Sequence, residues 1–188
     1  MKYLSILLFI VFYSCAPTSN DKQVAESSEA TTKTISQDTC QKLYAKASET
    51  DAQLMRATVF DQTQALKALA VFDAYTSYCK IDSITPIYLI KSAQLARSVN
   101  NYQKASVYLK QCIDEYVRFE NRAVAMFLLA QLYDDAAALN NETEAKALYE
   151  KIIKDFPASE WAMNSKAAIQ MLGKSDEQMI QEFLKKNK

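Results

Sequence analysis

Along the body of this chain the apolar residues recur at i, i+3 and i+4, with polar residues filling the remaining faces. Nowhere do they alternate with the period of two that a half-buried strand requires. The whole sequence holds one glycine and three prolines, so long stretches are free of helix breakers. The pattern predicts an all-α body. Its punctuation agrees: Thr85 followed by Pro86 reads as an N-cap with proline at the first helical position. The pairs Asn100-Asn101 and Asn140-Asn141 read as turns, Pro157 as a helix end and Gly173 as a C-cap. Ser175 with Gln178 has the spacing of a capping box that opens a last helix.

The helical pattern repeats. Ala93-Gln94-Leu95 recurs as Ala130-Gln131-Leu132, and the Asn100-Asn101 turn recurs as Asn140-Asn141. A period in the high thirties without strand signals belongs to stacked helix-turn-helix arrays, in which each unit buries one face by leaning on its neighbour. The second helices carry three aligned copies of a small residue four before a large one: Ala68 and Phe72, Ala105 and Leu109, Ala145 and Tyr149, with Pro157 eight beyond the last. Ala93 and Ala130 are the small residues of the first helices, and the later copy holds three extra residues between Tyr133 and Asn140. Those three predict a longer first helix there, by roughly 4.5 Å at about 1.5 Å per residue.

From about residue 62 to 172 this pattern resembles the tetratricopeptide repeat. The resemblance implies a right-handed superhelical stack of about three helix-turn-helix repeats plus a C-terminal capping helix. It weakens before residue 62, where Arg56 falls at a position that calls for a small side chain, so the first repeat is expected to be irregular. The stretch from Ala147 to Gly173 is similar to the closing segment of short tetratricopeptide lipoproteins of Gram-negative bacteria. Members of that family are mostly binding or assembly factors of the cell envelope.

The N-terminus fits that family. Lys2, an apolar run from Leu4 to Phe12 and the small Ser14 precede Cys15. The run is too short for a permanent span, which needs about 20 apolar residues. Ser14-Cys15 resembles a lipobox, with Phe12 where the family usually has leucine. The resemblance implies that 1–14 is a signal peptide and that Cys15 carries acyl chains, palmitate among them. Ala16 is not the aspartate that favours inner-membrane retention in that family, which implies an outer-membrane, periplasm-facing location. Residues 15–38 combine the lipidated cysteine with a polar segment too poor in large apolar side chains to offset its ordering entropy. As a flexible tether it would reach roughly 25 to 30 Å. Residues 39–188 then form one domain, of a usual size.

Charge and cysteines narrow the function. With 22 basic and 22 acidic residues interspersed, the chain has no basic stripe for nucleic acid. The closing Lys185, Lys186 and Lys188 complement the carboxyl end of a last helix. Setting Cys15 aside leaves Cys40, Cys79 and Cys112, hence at most one bridge. Cys79 and Cys112 lie on successive second helices and are a possible pair, the default being three small buried hydrophobes.

No histidine occurs, which removes Ser-His-Asp and Cys-His catalysis and histidine-based zinc, and one glycine cannot form a phosphate-cradling loop. Asp134-Asp135 and Glu142 with Glu144 flank a turn and read as solvated charge. The expectation is no catalytic residue, no metal and no cofactor. The recurring aromatics, Tyr102, Tyr108, Tyr116, Tyr133, Tyr149, Phe156 and Trp161, read as packing, and Tyr88 and Phe119 stay open.

Function is then expected on the concave face of the first helices, with a protein or peptide as partner. That face takes Ile90, Gln94 and Arg97 from one helix and Phe127, Gln131 and Asp134 from the next. Gln94 and Gln131 offer paired amides to a peptide backbone. Arg97 and Asp134 either serve the partner or pair with each other. The chain reads as a membrane-tethered scaffold or assembly factor, the alternatives being a periplasmic holdase for exported polypeptides or a self-associating structural repeat.

Overall fold

The computed structural model describes residues 20–81, 83–174 and 176–186, so the expected signal peptide, Cys15 and the Ser175 cap lie outside the described residues. The described residues form eight helices and no strand: α1 (Asn20–Arg56), α2 (Gln62–Tyr78), α3 (Thr85–Ser98), α4 (Tyr102–Glu115), α5 (Arg122–Asp134), α6 (Glu142–Asp155), α7 (Glu160–Met171) and α8 (Asp176–Lys186). The chain separates into two compact units, Met1–Thr39 and Cys40–Lys188. In the first, the described residues are helical from Asn20, where composition predicts a tether without fixed structure. No glycine or proline falls between Pro17 and Pro86, so no helix breaker interrupts α1.

In the second unit each helix from α2 to α7 packs on the next in sequence, and α5 also meets α7. The alanines predicted to let helices approach are all buried: Ala68, Ala93, Ala105, Ala130 and Ala145. Their large partners Phe72, Leu109 and Tyr149 are buried with them, each contributing about 1.5 to 3 kcal/mol from the area removed from water. One apolar cluster runs from Leu69 through α3, α4 and α5 to Ile152. A second gathers Ala47, Phe72, Tyr75, Cys79 and Tyr88 where α1, α2 and α3 meet, which settles Tyr88 as core. Phe119 is partly buried against the larger cluster.

The asparagine pairs close and open helices as a unit. Asn100 adopts φ 59, a left-handed conformation that asparagine tolerates better than most residues. Its N–H donates to the Arg97 carbonyl at 2.9 Å and that of Asn101 to the Ala96 carbonyl at 2.8 Å, the Schellman arrangement. The Asn101 side chain then accepts from the Lys104 N–H at 3.2 Å and starts α4. Asn140, at φ 46, and Asn141, whose side chain accepts from the Glu144 N–H at 3.2 Å, repeat the device before α6. Gly173, at φ 71, follows the end of α7.

Several expectations are corrected. α5 is not lengthened: it has 13 residues against 14 in α3. Asp135 leaves the helix at φ −70, ψ 113 and accepts from the Ala137 N–H at 2.9 Å, and the extra residues fold into a turn. The Leu139 and Asn141 amides return to the Leu132 and Tyr133 carbonyls at 3.0 and 2.6 Å. Thr85 is the first residue of α3 rather than its N-cap, which is Ile84. Its buried hydroxyl accepts from the Ile81 N–H at 2.9 Å and donates to the Cys79 carbonyl at 2.8 Å, fastening the α2–α3 turn.

The disulfide joins Cys40 to Cys79, not Cys79 to Cys112. Cys79 is the C-cap of α2, whereas Cys112 is buried inside α4 with its Sγ 3.7 Å from the Pro86 carbonyl oxygen. Burial pushes the Cys112 thiol up to about 12, so it is an inert apolar side chain. On α8, Ile180 and Leu184 are exposed.

Replacing Asn141 by alanine should remove about 1 kcal/mol of stability, and by glycine only a few tenths, measured by denaturant unfolding. Gly173→Ala should cost at least as much, because the new Cβ would sit 2.8 Å from Glu142 Oε2 at a backbone φ of 71.

Candidate functional site

The expected face occupies one stripe of α3 and the matching stripe of α5, since Ile90, Gln94 and Arg97 stand at i, i+4 and i+7, as do Phe127, Gln131 and Asp134. The structure brings five of the six into two adjoining clefts. The first, about 470 Å³, is lined by Gln94, Arg97, Tyr102, Leu109, Leu128 and Asp135 among others. The second, about 540 Å³, takes Arg97, Phe127, Gln131, Asp134 and Asp135, with Lys174 beyond the end of α7. Arg97 and Asp135 belong to both clefts and form the divider between them. Ile90 lines neither cleft; it packs, half-buried, against the main apolar cluster. Gln94 and Gln131 lie in different clefts, so they are not a pair gripping one point of a ligand.

The ion pair across the face is Arg97 with Asp135 rather than Asp134, at 3.8 Å from Nη2 to Oδ2. Both side chains are more than a third exposed, so the pair contributes about 0 to 1 kcal/mol and a ligand could displace it cheaply. Asp134, still within α5, turns to Tyr149, whose hydroxyl donates to its Oδ2 at 3.4 Å. Burial raises the Asp134 carboxyl above the ordinary aspartate value; the Tyr149 hydrogen bond lowers it, and the negative charges of Glu142 and Asp135 raise it again. Tyr149 is pushed up in turn by burial and by the Asp134 charge. The Phe127 ring is held by Tyr149 and Trp161, with centroids 5.6 and 5.2 Å away, so its body is committed to internal packing and only part of it lines the cleft.

A third cleft, about 430 Å³, lies between the end of α1, the 57–61 segment and the adjoining faces of α2 and α3. It includes Leu54, Met55, Val59, Phe60, Lys91 and Gln94. Met55 and Val59 are 80% and 77% exposed. This region was missed because it precedes the clear repeats. Its available signal was the apolar pair Val59-Phe60 beside Asp61, the N-cap of α2. Asp135 was also missed, because it occupies no repeat position. Among the described residues no group of three or more His, Cys, Asp or Glu side chains is arranged to hold a metal ion.

Comparison with protein-family models, with curated proteins and with solved structures finds no match to this chain.

Asp134→Asn provides an electrostatic test. An acid whose folded pKa is raised binds its proton more tightly in the folded state, so its ionisation costs stability at neutral pH. That cost disappears as pH falls through the raised value toward the ordinary 3.8. The asparagine retains an acceptor for Tyr149, so the variant should melt above the wild type at pH 7, with the gap closing on acidification. A gap independent of pH would contradict the burial of this charge.

Proposed function

We propose that this chain is a membrane-tethered interaction scaffold or assembly factor of the bacterial cell envelope. In this reading α1 to α7 are tetratricopeptide-like repeats in a right-handed superhelical stack. An extended peptide or protein segment lies along α3 and α5, and the mechanism is equilibrium recognition rather than turnover. The observation that carries it is the pair of clefts meeting at Arg97 of α3 and Asp135 just beyond α5, bordered by stripes of α3 and α5 whose residues repeat in sequence. Such a surface offers both charge signs, exposed or half-exposed amides at Gln94 and Gln131, and apolar contact from Leu128 and Phe127. A ligand of mixed composition such as a polypeptide satisfies all of these at once.

The Cys40–Cys79 bridge supports an exported chain, because structural disulfides persist in oxidising compartments such as the periplasm. Acylation at Cys15 would confine the domain to a membrane surface and raise its effective concentration toward membrane partners. The holdase reading draws on a different observation, the exposed apolar Met55, Val59 and Phe60. Slowed aggregation of unrelated unfolded chains, lost when these three are made polar, would favour it.

A photo-crosslinking residue placed at Gln94 or at Gln131 in intact cells should yield the same discrete adduct, while one at exposed Val107 on α4 should yield none. Adducts at all three positions, or at neither glutamine, would retire the groove. For the anchor, metabolic labelling with an alkyne fatty acid should mark the wild type and fail to mark Cys15→Ser, which should also leave the membrane fraction.

A further inference from the structure

The helix that carries Cys40 is held differently from its successors. Among the described residues, α1 is not in any of the closely packed helix pairs. Its 40–56 part buries one side chain fully, Ala47, and sets Cys40, Leu43 and Leu54 partly buried against the cluster of Phe72, Tyr75 and Tyr88. Tyr44 adds ring contacts to Tyr75 and Tyr88 at centroid distances of 5.9 and 6.2 Å. Polar and covalent attachments add to these, among them a hydrogen bond between the Ser48 side chain and Tyr88. Lys91 Nζ donates to both Asp51 carboxylate oxygens at 2.7 and 2.9 Å, a partly solvated pair open to screening by salt. The covalent one is the Cys40–Cys79 bond, spanning a sequence separation of 39.

The geometry points to this bond as a redox latch on α1. While it is intact, the 40–56 part of α1 is docked and supplies Asp51, Leu54 and Met55 to the 430 Å³ cleft. When it is reduced, that part of α1 detaches, the cleft loses this wall, Lys91 loses its carboxylate and the faces of Phe72, Tyr75 and Tyr88 open to solvent. The reductant is a dithiol. Its thiolate attacks the Cys40 Sγ, the more accessible sulfur because Cys40 is half-buried and Cys79 is 1% exposed. The S–S bond breaks, Cys79 leaves as a thiolate and a mixed disulfide forms on Cys40. The second thiol of the reagent then resolves that intermediate. Two electrons and two protons pass to Cys40 and Cys79, and the reagent departs as its own disulfide. Cys112, buried against Pro86, takes no part.

The test is hydrogen exchange on the full oxidised chain with and without excess dithiothreitol, combined with peptide-by-peptide alkylation. Reduction should speed exchange over 40–56 by roughly a hundredfold or more, as loss of a cross-link closing so long a loop implies. Protection in α3 to α6 should persist, Cys40 and Cys79 should become alkylated and Cys112 should stay unlabelled. The double variant Cys40→Ser, Cys79→Ser should match the reduced wild type without any dithiol, and reoxidation should restore protection in the wild type. Unchanged protection at 40–56 after complete reduction would overturn the latch. So would loss of protection that spreads equally to α3 to α6, since the bond would then hold the whole fold.

Discussion

Close approach of helices at alanine is the constraint on which the rest of the structure depends. Where Ala93 and Ala130 on the first helices and Ala105 and Ala145 on the second are buried, a larger side chain would have to displace a neighbouring backbone. Overpacking of this kind typically costs about 1 to 3 kcal/mol per site. The space beside each contact is filled by Leu109 or Tyr149, and the same small-and-large pairing at Ala68 and Phe72 carries it back to α2. This pairing recurs on α2, α4 and α6, and most of the buried side chains are apolar, with Thr76, Thr85, Ser92, Ser106 and Ser165 buried among them. Tyr108 combines both characters: its ring is buried, while its hydroxyl donates to Asp73 Oδ1 at 2.9 Å, and the same carboxylate accepts from Lys104 at 3.0 Å. A buried aromatic with a satisfied polar tip links α2 to α4 without leaving an unpaired group.

What could be read from the sequence followed from features that act locally. Helix type came from apolar spacing, and the Asn-Asn turns came from residues that tolerate a left-handed backbone and cap the next helix. Both depend on a few neighbouring positions, so both survive without knowledge of the partner helix. The misreadings share the opposite property. Three extra residues after Tyr133 could extend a helix or make a turn, and what decides is Asp135, whose side chain captures the Ala137 N–H and ends α5. Cys79 had two candidate partners at long range, and the choice between them lies in how α2 ends. Its C-cap position takes Cys79 out of the helical register that would align it with Cys112.

The candidate groove was legible to the same degree. Repeat spacing placed Gln94, Arg97, Gln131 and Asp134 on matching faces, because helical periodicity alone dictates which residues share a stripe. Periodicity carries no information about loops, and the groove's central ion pair is made by the loop residue Asp135. Phe127 illustrates a second blind spot. Its position is on the expected face, but Trp161 and Tyr149 lie beside it, and their proximity depends on the packing of α5, α6 and α7 together.

The two ends of the helical series respond differently to that packing rule. α7 packs closely on α6, with Ala162 and Ser165 buried and Trp161, Ala168 and Ile169 partly buried against the main apolar cluster. α1 carries Arg56 near its end, and among its described side chains Ala47 is the one fully buried. A helix attached through so little area needs another source of fixation, and a bond closing the long loop from Cys40 to Cys79 supplies it by restricting the unfolded chain, by about 4 kcal/mol in the chain-entropy estimate. The Cys40–Cys79 bond therefore adds a covalent attachment to a helix whose 40–56 part buries Ala47 fully and sets Cys40, Leu43 and Leu54 only partly into the cluster.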